Sequence, residues 1–478
     1  MGKYGWVLTL GVLCLLTTHC RAAKVLPWPA NTPVAPQPGA VRRAPTPALT
    51  QAAVLPQDST LPVATRFYIS QNGDNTDGRT WETAWNELDQ IDWAAVQPGD
   101  VILLDGGAQR MIYETSLVLE KSGSADRPIV IRRATDPARN GRVILHGGRT
   151  TLLPYCGQAL YQPEEELPLF GIDINKQAHI VIDGGKWGGI LVHGFGRSGI
   201  RLLPGAQDIL VRNLELYNNG AARRGDDGWY PDQPGVQLAG ADLTFEQMLI
   251  HDNGQDAFQS YWDSEGITNL VLRRSWLYNS RRHPTVDESA NYCTHTDGIQ
   301  IFSGGVQGPL LIEQSIIGPG FTQGVILGQT PTAEGASAVV NNVTIRDVLF
   351  AKAADNNILA YPGTEPEGWV VDHVTLHCPK TKGHCLHLAG TNHQITNSIV
   401  HGAHIAVAET SALSNNCYWN TTGDVAGDAA GDAANPHFIQ VSDIDHFSLD
   451  NYAITSASPC AGRGSYITSV YQLRNSQP

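Results

Sequence analysis

Two short runs of the sequence carry residues suited to acid, base or cation chemistry. Asp256-Ala257-Phe258-Gln259-Ser260 and Asp297-Gly298-Ile299-Gln300-Ile301 match position for position. Laid over each other, they put Asp256 with Asp297 and Gln259 with Gln300. If the runs are neighbouring parallel strands, the two carboxylates lie about 5 Å apart. Carboxylates held that close raise one another's proton affinity or share a cation. A calcium ion is the one cofactor the pattern suggests, and against it stands the need of such ions for roughly six to eight oxygens. His295 precedes Asp297 by two residues, and His251 lies just ahead of Asp256. Histidine can take or give a proton near neutral pH. Each feature also has a plain structural use. Asp before Gly is common turn chemistry, stacked Gln side chains form amide ladders, and a loop His can simply bond a carbonyl.

Cations surround this pair in the sequence. One long insertion, 220–233, holds Arg223 and Arg224, and another, 280–296, holds Arg281 and Arg282. Guanidinium groups fit carboxylates through two parallel hydrogen bonds. Nearby Asp226, Asp227, Asp287 and Glu288 could equally occupy them. Trp229, Tyr230, Tyr261 and Trp262 offer flat apolar faces or a seal for the core.

These residues must be positioned by a repetitive scaffold. The two runs belong to a longer series: Ser198–Leu202, Pro234–Leu238, Asp256–Ser260, Asp297–Ile301, Gln323–Leu327, Asn356–Ala360 and His384–Leu388. Second short strands alternate with them, among them Leu210-Val211-Arg212, Val271-Leu272-Arg273 and Leu311-Ile312-Glu313. Equal strands with unequal connections are what a coiled solenoid produces, because stacked turns share one core and insertions project at the corners. Sandwiches and propellers predict tight hairpin signals that are missing at the strand-joining positions. Ahead of the repeats, Arg66–Ser70 reads as a strand and Glu82–Val96 as a short amphipathic helix.

Charged residues make up only 16% of the 478-residue chain, which holds 49 Gly and 28 Pro, material for strands and turns rather than helices. The net charge of -14 excludes a broad nucleic-acid surface. An acidic polymer could dock only at a local basic patch. Residues 1–22 read as a secretory signal with Lys3 ahead of an apolar Val7–Leu16 run and cleavage after Ala22; lipid attachment at Cys20 is disfavoured by His19. Residues 23–65 read as a Pro-rich disordered spacer, and 66–478 as one domain. No later segment reads as a transmembrane helix. Export to an oxidising space suggests disulfides among Cys156, Cys293, Cys378, Cys385, Cys417 and Cys460. Cys378 with Cys385 and Cys417 with Cys460 are candidate pairs.

The domain resembles the right-handed parallel β-helix proteins of the pectin lyase-like superfamily. Phe67–Asp74, Gln97–Asp100 and Ser122–Ile129 resemble the N-terminal cap of bacterial members, the repeats resemble their coils, and Asn416–Asn420 with Ser458–Ala461 resemble their C-terminal end. The resemblance implies an all-β right-handed parallel β-helix with a short N-terminal helical cap. It implies a secreted monomer that handles polysaccharide. It does not fix the reaction. The Asn-Thr-Asp, Gly-His-Gly and Arg-Ile-Lys motifs of polygalacturonase-type hydrolases are missing, with Gly225-Asp226-Asp227 alone remaining. No alginate-lyase motif stands out, and Lys352 is the one lysine in the central turns. The expected function is a polysaccharide lyase for uronic-acid chains. Its catalytic residues would be Asp256, Asp297 and His295; its substrate-binding residues would be Arg223, Arg224, Arg281, Arg282, His251, Gln259 and Gln300. A non-catalytic glycan-binding or surface protein is the alternative.

Overall fold

Among the described residues the repeating turn is built from three short strands, each paired in parallel with its counterpart in the next turn. One turn runs through Gln207–Arg212, Leu214–Tyr217 and Val236–Leu238, and the next through Ala241–Glu246, Leu249–His251 and Phe258–Ser260. A third follows through Thr268–Arg273, Trp276–Tyr278 and Asp297–Ile301. Three parallel sheets result, here called first, second and third in the order in which the chain meets them within a turn. The protein is a right-handed parallel β-helix. This computed structural model describes residues 65–153, 167–220, 233–260, 266–280, 296–302, 304–329, 338–351, 356–361, 363–378, 383–423, 428, 431, 435–438, 452–454 and 456–465, and the backbone alone of 223–225, 228–230 and 305–306. The described residues lie within one compact unit, Pro47–Pro478.

The repeat runs read from the sequence form the third sheet in the expected register. Ile200, Val236, Phe258, Ile299, Val325, Ile358 and Leu386 pair in succession, and all are buried in one continuous core. An apolar column of this kind is the main source of stability, since no single turn can bury its own face. The first and second sheets meet at a sharp bend made by one left-handed residue, such as Asn213 (φ 65°), Asn397 (φ 51°) or Asn415 (φ 58°). Asparagine tolerates that conformation better than other residues with a Cβ. The outer edge of the first sheet carries charges that alternate in register: Asp183, Arg212, Glu246, Arg273, Glu313, Arg346, Asp372. Arg212 donates to Asp183 (2.8 Å) and Arg273 to Glu246 (2.7 Å).

The N-terminal cap departs from the sequence reading. The segment 82–96 contains only a 3-10 turn, Leu88–Gln90, in place of the expected helix. Its backbone is claimed elsewhere: Trp85 N–H donates to Tyr68 O, and Ser70 N–H donates to Trp85 O. The apolar residues still plug the open end, with Trp85 stacked on Phe67 at 5.0 Å and Leu88, Trp93 and Val96 buried. Disulfides join Cys378 to Cys385 and Cys417 to Cys460, the pairs anticipated. Among the described residues, no helix is long and apolar enough to cross a membrane. The expected leader and all but the last residue of the spacer, Cys156, Cys293 and Lys352 lie outside the described residues.

Candidate functional site

Outward-facing positions of the third sheet form a polar column. Asp173, Arg201, Gln237, Gln259 and Gln300 follow one another in register across five turns. The Arg201 guanidinium lies 3.9 Å from the centre of the Phe170 ring, and its Nε donates to Asp173 (3.0 Å). Gln259 Nε2 donates to Gln300 Oε1 (2.7 Å), and Gln300 Nε2 donates to Asp297 Oδ2 (3.0 Å). The column then turns apolar, with Ile326 and Leu359 next in register and packed with Phe302.

Asp256 and Asp297 stack in consecutive turns. The Asp297 N–H donates to Asp256 Oδ1 at 2.7 Å, and Ala257 N–H donates to Asp297 O at 3.0 Å. Both aspartates are fully buried, whereas the catalytic role expected of them calls for carboxylates that substrate can reach. Each therefore ties one turn to its neighbour, whatever else it does. The corner between the second and third sheets carries both long insertions, because Tyr217, His251 and Tyr278 are in register before it and Val236, Phe258 and Ile299 after it. The first insertion includes an antiparallel pair, Arg223–Gly225 with Gly228–Tyr230. The side chains of Arg223 and Arg224, and all of Arg281, Arg282 and His295, lie outside the described residues, as do Tyr261 and Trp262. Among the described residues, no three or more His, Cys, Asp or Glu side chains gather into a metal site.

His251 sits around the corner from the glutamines. In Leu249–His251 the middle residue, Ile250, enters the core, so Leu249 and His251 face outward on the second sheet. His251 is one rung of a ring ladder: His146 to His193 at 4.6 Å, His193 to Tyr217 at 4.9 Å, Tyr217 to His251 at 5.4 Å, and His251 to Tyr278 at 4.7 Å. Its Nδ1 lies 2.7 Å from Asp252 Oδ2 and its Nε2 lies 3.4 Å from Glu215 Oε1. Burial would lower its proton affinity, but the two carboxylates outweigh burial and raise it above the ordinary value. Glu215 titrates low despite burial, held ionised by His251 and Arg142. Among the described residues no carboxylate hydrogen-bonds to His193, and the nearby Glu215 does not offset its burial. Burial, with His146 and Arg142 adding to it, lowers its pKa to about 4.

Beside this ladder lies a cleft of about 290 Å³ that the sequence reading missed. Arg142, Lys186 and Glu215 supply its charges, and Trp187, Trp276 and Tyr278 its rings. Arg142 donates from Nε to Gly188 O (2.9 Å) and pairs with Glu215 Oε2 (2.5 Å). Gly188 is at φ 63°, and an added Cβ would lie 3.2 Å from Glu215 Oε2 and 3.3 Å from an Arg142 nitrogen, so glycine is what lets these groups approach. One signal could have found the site. Glu215-Leu216-Tyr217, Leu249-Ile250-His251 and Trp276-Leu277-Tyr278 each repeat a core residue followed by an outward ring.

No protein-family model matches the chain, and no curated protein matches it. Among solved structures it is similar to pectate lyase Pel9A, at 15% identity and a TM-score of 0.45, over 83% of this chain and 91% of that one. It is similar to the complex of XylC with xylose, at 8% identity and a TM-score of 0.46, over 78% and 87%. PfbA, a surface adhesin of Streptococcus pneumoniae, is similar at 10% identity and a TM-score of 0.41, over 69% and 80%. At these values the likenesses carry no functional weight, and the reading of function rests on this chain's own residues.

Proposed function

We propose that this is an exported carbohydrate-active β-helix, specifically a polysaccharide lyase whose uronic-acid chain lies along the outer face of the third sheet. The observation that carries the reading is the stacking of Asp256 on Asp297 beside Gln259 and Gln300, at the corner from which both long insertions leave. The disulfides fit an oxidising, exported setting. In this reading Arg223, Arg224, Arg281 and Arg282 pair with the substrate carboxylate and so acidify the neighbouring C5 proton. His295 removes that proton, the electron pair forms the C4–C5 double bond, and the C4–O bond breaks with water protonating the departing oxygen. Asp297, two residues away and stacked on Asp256, orients His295.

The test is a screen of acidic and neutral polysaccharides for new unsaturated-product absorbance, paired with a reducing-end assay. Asp297→Asn and His295→Ala should each lower turnover by at least about a hundredfold. Near-full activity in folded Asp297→Asn protein would defeat the reading, and reducing ends without absorbance would point to hydrolysis. A second reading, a non-catalytic glycan binder, is favoured by one observation. Both aspartates are buried, and each has a structural bond of its own. Binding without product from any substrate would establish that reading instead.

A further inference from the structure

The cleft on the second sheet has the makings of a ligand site that the third-sheet reading leaves unused. Its volume of about 290 Å³ sits at the small end of small-molecule pockets, which start at about 300 Å³, so it suits one compact ligand rather than a polymer segment. The ring of Trp276 is nearly buried and spends its only hydrogen-bond donor on Gly318 O at 3.1 Å. Packed against Trp187 and Leu249, it gives the cleft a rigid apolar wall. Tyr278, half-buried and 4.7 Å from Trp276, stands beside it. Flat apolar faces next to polar groups suit a sugar ring, which has C–H faces and hydroxyl edges.

Charge selects among sugars. Arg142 and Glu215 neutralise each other across the cleft, which leaves the exposed Lys186 as the surplus charge of the lining. The chain as a whole is strongly acidic, with a net charge of -14, so a local cationic surplus stands out against its surroundings. Gln109, exposed on the lining, adds an amide that can both donate and accept. Arg142 is already fixed by Gly188 O and Glu215, so it needs little ordering on binding.

We propose that this cleft binds a single uronic-acid residue, its carboxylate toward Lys186 and its ring against Trp276 and Tyr278, as a site separate from the third sheet. The site would hold an acidic sugar end or a released product unit while the polymer lies elsewhere on the molecule. It stands apart from the lyase reading, because it needs no bond cleavage.

Saturation-transfer NMR on the full chain tests it with galacturonate as the probe, galactose as its neutral counterpart and acetate as the ringless carboxylate. Galacturonate should bind saturably and about two- to fivefold more tightly than galactose, the worth of one solvent-exposed ion pair. Acetate should show no saturable binding. Lys186→Met alters an exposed side chain and should reduce galacturonate to the level of galactose. Tyr278→Leu should weaken both sugars. Lys176→Met, at an exposed lysine outside the cleft lining, should leave binding unchanged. Equal affinity for galacturonate and galactose, undiminished binding in Lys186→Met, or loss of binding in Lys176→Met would each overturn the proposal. An inactive polysaccharide screen would leave these results untouched.

Discussion

His193 should make the protein acid-sensitive in a way that one substitution can isolate. Its ring is stacked between His146 and Tyr217 on the second sheet, and burial, with His146 and Arg142 nearby, lowers its pKa from 6.5 to about 4. The folded value lies below the unfolded one, so the neutral ring favours folding above about pH 6.5, and that advantage is lost as pH falls toward about 4. Between those values the unfolded chain binds a proton that the folded chain refuses. At about 1.36 kcal/mol per pH unit the full difference is about 3.4 kcal/mol. The ring is only partly buried, and screening by solvent reduces the expected effect to about 2 kcal/mol. His193→Phe keeps an aromatic ring in the stack and removes the proton. Guanidinium unfolding of both proteins at pH 7.5 and pH 4.5 is the assay, since other carboxylates and imidazoles titrate in both and cancel. Acidification should cost the variant about 2 kcal/mol less than it costs the parent, read from the midpoints at constant slope. Equal losses in the two proteins would refute the placement of a buried neutral imidazole in this ladder.

Other perturbations have definite expectations. The Cys417–Cys460 bridge spans 43 residues and the Cys378–Cys385 bridge spans 7. Chain entropy alone assigns them about 4 and about 2.4 kcal/mol, so Cys417→Ser should lower the unfolding midpoint more than Cys378→Ser. Ile299→Ala opens a cavity in the core column beneath Gln300 and should cost about 2–5 kcal/mol by denaturant unfolding. Glu215→Gln removes one of the two carboxylates that raise the His251 pKa, so an NMR titration should find that imidazole titrating lower than in the parent. No change there would mean that Asp252 alone sets its charge.

Much of the scaffold was legible because one physical signal was repeated many times. The third sheet was readable from runs such as Gly199-Ile200-Arg201-Leu202, since inward apolar residues must recur at the same point of every turn, and the observed pairing of Ile200 with Val236 and Phe258 with Ile299 follows that alignment. The segment 82–96 misled because its apolar spacing suits both a helix and a plug, and backbone bonds to Tyr68 and Ser70 decided for the plug. The charge ladder of the first sheet was within reach. Arg212, Arg273 and Glu313 already ended the strands identified, and their signs alternate with Glu246 and Arg346 once the register is fixed.

The second-sheet cleft was hidden for a geometric reason. Its strands around Glu215, Leu249 and Trp276 are only three or four residues long, and each alternates outward and inward side chains. Within one such strand no spacing links an acid to a base. The link forms across turns, where Arg142, Glu215 and His251 meet although 73 and 36 residues separate the bonded pairs. Corner insertions of unequal length scramble those separations, so no fixed period in the sequence reports them. The second-sheet register does report them: Leu191 with Glu215, Glu215 with Leu249, and Leu249 with Trp276. In a solenoid the chemical unit is therefore the outward column rather than the linear motif. Faces where such columns bring rings and opposite charges together across turns, as around this cleft, are where ligand sites should be sought first.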